Sequence, residues 1–156
     1  MLLIAHRGLY QGPNSDLENR PSHVQQTLEM GFEVEVDLHV KDDSLYLGHD
    51  YPQYPIDREF LLQPGIWIHA KNIQACNFLI SIQHKGPRLN YFWHEGDDRV
   101  LTSYGYWWTQ PGCQLADWSI AVMPEINIEP HLLLEWARNQ NCVGVCSDHV
   151  GILKQG

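Results

Sequence analysis

Basic residues are scarce in this chain: ten Lys+Arg stand against 19 Asp+Glu, a formal net charge of −9. Such an acidic surface repels polyanions unless positive charge is gathered locally, so no nucleic-acid partner is expected. Long apolar runs are missing as well. No stretch approaches the ~20 apolar residues that span a bilayer. The opening Met1-Leu2-Leu3-Ile4-Ala5 meets His6 and Arg7 before reaching the apolar length of an export signal. The expectation is a cytoplasmic protein with no stable membrane insertion. Cysteines are few: Cys76, Cys113, Cys142 and Cys146 are too sparse for a disulfide framework and lack paired zinc-finger spacing, so they read as reduced core thiols. There is no repeat, low-complexity tract or linker, and no G-x-G-x-x-G or G-x-x-x-x-G-K-[ST] motif for a dinucleotide or nucleoside triphosphate. What is present, 156 residues with 44% hydrophobic and 11% aromatic side chains, is enough for one domain spanning 1–156.

Seven short runs rich in β-branched or aromatic residues read as strands: Leu2 to Ala5, Phe32 to Val40, Ile66 to Ala70, Asn90 to Trp93, Tyr106 to Thr109, Ser119 to Met123 and Val143 to Ser147. A turn and a short eighth strand fit Asp43 to Gly48. Helix punctuation marks Pro21 to Gly31, with proline at the start and glycine at the end. Gln74 to Gln83 and His131 to Asn141 are further helix candidates, the latter carrying Leu132, Leu133, Trp136 and Ala137 on one face. Strands alternating with helices predict an α/β fold with a parallel sheet, open or closed into a barrel.

The segment Phe32 to Val40 alternates strictly: Glu33, Glu35, Asp37 and His39 occupy the odd positions and apolar residues the even ones. Period two sends the two sets to opposite faces. In a parallel sheet covered by helices, carboxylates on an inward face cost several kcal/mol each unless a cation compensates them. Glu35 and Asp37, two residues apart and pointing the same way, are suited to a divalent ion. Other strand ends supply related chemistry: His6-Arg7-Gly8, Gly48-His49-Asp50, His69-Ala70-Lys71, His94-Glu95 and Glu125. Active sites of open α/β sheets and of barrels collect at the carboxyl ends of strands. His23, His39, His84, His131 and His149 have no such setting and read as ordinary imidazoles. A carboxylate-held ion, two imidazoles and the cations Arg7 and Lys71 suit an anionic oxygen ester such as a phosphodiester.

The set Ile4-Ala5-His6-Arg7-Gly8, Glu18-Asn19, Glu35-Val36-Asp37 and Gly48-His49-Asp50 resembles the glycerophosphodiester phosphodiesterase family, among the phosphatidylinositol-phospholipase-C-like barrels. The likeness is clear over residues 2–50, extends to Ile66–Lys71 and Gly144–Asp148, and is thin elsewhere. It implies a reduced TIM-like (β/α) barrel of seven or eight strands with several helices shortened or missing, because 156 residues fall below the ~200-residue floor of such barrels. It further implies His6 and His49 as the acid/base pair, Arg7 on the phosphate and Glu18 as a supporting polar residue at the site; Lys71, His94 and Glu125, from the strand ends, are expected toward the substrate. Glu35 and Asp37 would be metal ligands, and His69 stands where the family usually has a glutamate. Mg²⁺, Ca²⁺ or Mn²⁺ is the expected ion, with Zn²⁺ admitted by the His69 imidazole. The implied function is hydrolysis of a glycerol-phosphate or sugar-phosphate diester, by water or by a neighbouring substrate hydroxyl. The competing readings are a phosphate-binding module without catalysis, and amide or lactone hydrolysis on the same metal. Strand faces left bare by missing helices would be covered by a second copy, a homodimer.

Overall fold

Of the five apolar residues Met1 to Ala5, the last four form β1 (Leu2–Ala5), followed immediately by the polar His6–Gly8 turn. The computed structural model describes residues 1–155. After β1 come α1 (Pro21–Glu29), β2 (Glu33–Lys41), β3 (Ser44–Leu47), β4 (Tyr54–Ile56), α2 (Arg58–Leu61), β5 (Ile66–Ala70) and α3 (Ile73–Lys85). The second half holds β6 (Asn90–Phe92), β7 (Arg99–Leu101), β8 (Trp107–Thr109), β9 (Ser119–Val122), α4 (Leu133–Arg138) and β10 (Gly144–Ser147). Every strand and helix expected from the sequence forms. The additional β4, β7 and α2 are three or four residues long, too short for periodicity to reveal. β4 carries Pro55 and pairs only with β3, as a proline-bearing edge strand can.

Seven strands run parallel in the order β6-β5-β2-β1-β10-β9-β8. The β3–β4 hairpin extends the far end of β2, and β7 lies antiparallel on β8. The sheet is strongly curled. Ile4, Trp67, Phe92, Trp108, Ile120, Val122 and Cys146 reach inward from six different strands and pack as one inner cluster. The Phe92 and Trp108 rings sit 4.4 Å apart and those of Trp67 and Trp108 5.8 Å apart. Residues of the opposite parity, among them Val34, Val36, Leu38 and Ile68, pack on the other face with Val24 of α1, Leu79 of α3 and Leu133 of α4.

The expected closed barrel is not what forms. No ladder joins β6 to β7 or β8, because the chain after β6 turns back as the antiparallel β7 rather than supplying another parallel strand. Two residues bridge the seam: Ser103 N donates to Tyr91 O at 2.9 Å, its Oγ accepts from Tyr91 N at 2.9 Å and donates to Leu89 O at 2.7 Å, and the Tyr104 hydroxyl donates to Arg88 O at 2.9 Å. The cysteines match the expectation of reduced thiols and differ in burial. All four are free, and only Cys146 is a core thiol, the other three being half-buried. Among the described residues no helix is long and apolar enough to cross a membrane.

Candidate active site

The alternation of β2 places Glu35 and Asp37 on the concave face, where they are 2% and 1% exposed. The parallel register sets Glu35 opposite Trp67 and Asp37 opposite His69 of β5. One oxygen of Glu35 accepts from Arg7 N at 3.0 Å. This bond needs the left-handed turn after β1, where Arg7 has φ 51°. Asn19, itself in a left-handed conformation at φ 58°, uses its whole carboxamide on Asp37: Nδ2 donates to Oδ2 at 2.8 Å and Oδ1 accepts from the Asp37 backbone N at 2.9 Å. The Asn19 backbone N in turn donates to Arg7 O at 2.8 Å. The loop between β1 and α1 therefore holds both carboxylates from behind.

The other oxygens face one another. Asp37 Oδ1 lies 3.1 Å from His69 Nδ1 and 3.5 Å from Lys71 Nζ, while Glu35 Oε1 lies 3.9 Å from the same His69 nitrogen. Ligand-capable atoms of Glu35, Asp37 and His69 lie within 4.8 Å of one another, as a shared ion requires. Arg7 completes the cluster, with Nη1 donating to Glu18 Oε2 at 3.0 Å and Nε 3.2 Å from Asp37 Oδ2.

The two carboxylates respond oppositely to this setting. Burial opposes ionisation of Asp37, but His69, Lys71 and Arg7 outweigh it and hold its pKa well below the usual carboxylate range. Glu35 is pushed up, first by burial and then by the negative charge of Asp37. Two buried carboxylates of which only one is fully compensated by protein cations have the chemistry of a divalent-cation site, so the donor set fits a metal. Two carboxylate oxygens with one imidazole nitrogen suit Mn²⁺, Fe²⁺ or Zn²⁺ better than a purely oxygen-seeking ion.

His6 stands beside this cluster, its Nδ1 2.9 Å from Asp148 Oδ1. Burial disfavours its charged form, yet the Asp148 bond and the Glu35 charge raise its pKa overall. His49 lies at the rim on the turn after β3, where Gly48 N donates to Asp37 O at 3.1 Å. Its Nδ1 is 2.8 Å from Asp50 Oδ1, and burial together with the Arg7 charge lowers its pKa. His94 stacks on His69 with ring centroids 4.5 Å apart. A cleft of about 310 Å³ opens there, lined by His69, Lys71, Trp93, His94 and Glu95.

The structure thus brings His6, Arg7, Glu18, Glu35, Asp37, His69 and Lys71 into one cluster, with His94 against it and His49 at its edge. Two residues stand elsewhere. Glu33 shares the face of Glu35 but lies at the amino end of β2, where it accepts from the Trp67 indole. Glu125 is a layer removed: one oxygen accepts from Ser147 Oγ at 2.7 Å and from Asp148 N at 2.8 Å, so it steadies Asp148. Asp148, inside the Gly144–Asp148 stretch of the likeness, was assigned no role from the sequence, although its position directly after a strand ending Val145-Cys146-Ser147 was the same signal that marked His6 and Lys71.

No protein-family model, no curated protein and no solved structure matches this chain.

Proposed function

We propose that this protein is a metal-dependent phosphodiesterase, acting on a small glycerol-phosphate or sugar-phosphate diester, on a reduced and open form of the phosphodiesterase barrel its motifs resemble. The observation that carries the reading is the convergence of an anion-binding pair and a cation site: Arg7 and Lys71 both lie against the Asp37 carboxylate that, with Glu35 and His69, fits a divalent ion. A divalent ion held by these three side chains would polarise a phosphoryl oxygen and offset its charge.

The protein's own groups supply the rest. Lys71 and Arg7 draw the non-bridging oxygens of the diester into the cleft beside His69 and His94. His6 serves as general acid. Asp148 occupies its Nδ1 and favours the protonated ring, leaving Nε2 to give a proton to the departing alkoxide. His49, favoured as the neutral ring, accepts the proton of the attacking hydroxyl, which comes from water or from the substrate. Two imidazoles with oppositely displaced pKa values make a bell-shaped pH–rate profile the expectation.

The test uses the full chain, stripped of metal and assayed on bis(p-nitrophenyl) phosphate and a panel of glycerophosphodiesters with Mg²⁺, Mn²⁺ or Zn²⁺. Metal-restored turnover that disappears in His6→Ala supports the reading. No turnover with any ion, or full activity in His6→Ala, overturns it. Saturable phosphate binding without turnover would instead identify a phosphate-binding module.

A further inference from the structure

The largest departure from a strand–helix–strand plan lies between β8 and β9. These parallel neighbours are joined by residues 110–118 with no helix, so the outer side of the pair is covered only by that loop, the turn after β9 and α4. The result is an open groove of about 410 Å³. Its lining is unusual for this molecule: not one Asp, Glu, Lys, Arg or His borders it, although 19% of the chain is charged. In their place stand five carboxamides, Gln110, Gln114, Asn127, Gln140 and Asn141, together with the Trp136 indole.

We propose that this groove binds a neutral, hydroxyl-rich ligand, a sugar of one or two rings. Each carboxamide offers both a donor pair and an acceptor, the complement of a hydroxyl that donates and accepts at once, and it does so without a charge that a neutral ligand would have to desolvate. Trp136 provides the apolar wall on which the C–H face of a pyranose packs. Four of the five amides are at liberty: Asn141 Nδ2 donates to Asp117 Oδ1 at 2.7 Å, whereas the side chains of Gln110, Gln114, Asn127 and Gln140 make no hydrogen bond to another described residue.

The groove is also built before a ligand arrives. Ser119 Oγ accepts from Ala116 N at 2.9 Å and from Thr109 Oγ1 at 3.2 Å, which pins the loop to the sheet. The Asn141–Asp117 bond ties the segment after α4 to the same loop. Both walls are therefore fixed, and the ordering cost of binding is small. Pro111, Leu115, Val122, Pro124 and Ile128 give the groove an apolar floor, and the carboxamides supply the donors and acceptors around it. The groove shares no residue with the Glu35–Asp37–His69 cluster.

The test is titration of the ¹⁵N-labelled full chain with glucose, N-acetylglucosamine and maltose, followed by NMR. The expected result is saturable shifts confined to the Trp136 indole N–H and the side-chain amides of the groove, with Kd on the order of 1 mM. A double variant, Gln114→Ala with Asn127→Ala, removes two exposed side chains and leaves the fold in place; it is expected to weaken binding at least fivefold. Trp136→Ala should abolish binding, and the double variant keeps the test decisive if loss of the indole unfolds the chain. Absence of saturable shifts with all three sugars, affinity unchanged in the double variant, or a preference for glucose 6-phosphate over glucose read at the groove resonances themselves would each overturn the proposal.

Discussion

Adjacent buried carboxylates are expected to respond to neutralisation with opposite signs. In metal-free protein, Asp37→Asn removes the charge that faces Arg7 Nε at 3.2 Å, His69 Nδ1 at 3.1 Å and Lys71 Nζ at 3.5 Å. Removing one partner of a buried ion pair costs about 3–5 kcal/mol, a large share of the roughly 5–15 kcal/mol that holds a domain together. At ~2–4 °C per kcal/mol for a chain of this size, melting should fall by roughly 6–20 °C. Glu35→Gln keeps an oxygen for Arg7 N while deleting a like charge near Asp37. With ligand atoms up to 4.8 Å apart, the two charges repel by about 3 kcal/mol at an effective dielectric near 20. Part of that is offset by attraction to His6, His69 and Arg7, so a net stabilisation of about 1 kcal/mol at pH 7 is expected.

The pH window follows from the directions of the two shifts. The folded pKa of Asp37 is depressed, so its contribution is present above the unfolded value near ~3.9 and is lost as pH falls through the folded value. That of Glu35 is raised, so the stability conferred by its neutral form is present below ~4.3 and lost as pH rises through the folded value. Both differences from the native sequence should therefore fade in acid. Urea unfolding of the three proteins at pH 7 and in acid, with chelator, reads this directly. Added Mn²⁺ should lift the native sequence above Glu35→Gln, stabilising it by ~2.7 kcal/mol at a hundredfold excess over Kd and neither variant comparably. Equal destabilisation by both variants at pH 7 without metal would refute the electrostatic reasoning.

Three further outcomes follow from other contacts. Asp148→Asn keeps the shape beside His6 but not the charge, so it should lower kcat at least tenfold and move the His6 limb of the pH–rate profile to lower pH, with KM little changed. Ser103→Ala should cost about 1–3 kcal/mol in chemical denaturation, because Tyr91 N loses its acceptor at the seam; a change within ~0.5 kcal/mol would mean the seam is held by other groups. Gly48 has φ 153°, and a Cβ there would stand 2.2 Å from Tyr51 O. Gly48→Ala is therefore expected to displace the turn that carries His49, reducing both stability and turnover, and unaltered activity would remove His49 from the proposed chemistry.

Much of this arrangement is legible in one dimension because its cause is local. The two-residue alternation of β2 is a property of extended backbone, so it alone puts Glu35 and Asp37 side by side, and the strand-end rule adds His6, His69 and Lys71. Proline and glycine bracket α1 in the same local way, with Gly31 at φ 82° just past its end. Long-range choices left no comparable mark. His6 and Asp148 meet across 142 positions only because β1 pairs with β10. Which oxygen of each carboxylate remains for an ion is set by Arg7 N and the Asn19 carboxamide, reaching in from a loop. Glu125, at a strand end like the others, turns out to support Asp148 rather than face the cleft. The sheet stays open because β7 turns antiparallel and Ser103 satisfies the backbone at the seam. Backbone periodicity thus determined the face each residue occupies. The curvature of the sheet and its hydrogen-bond partners decided which of those residues share a site.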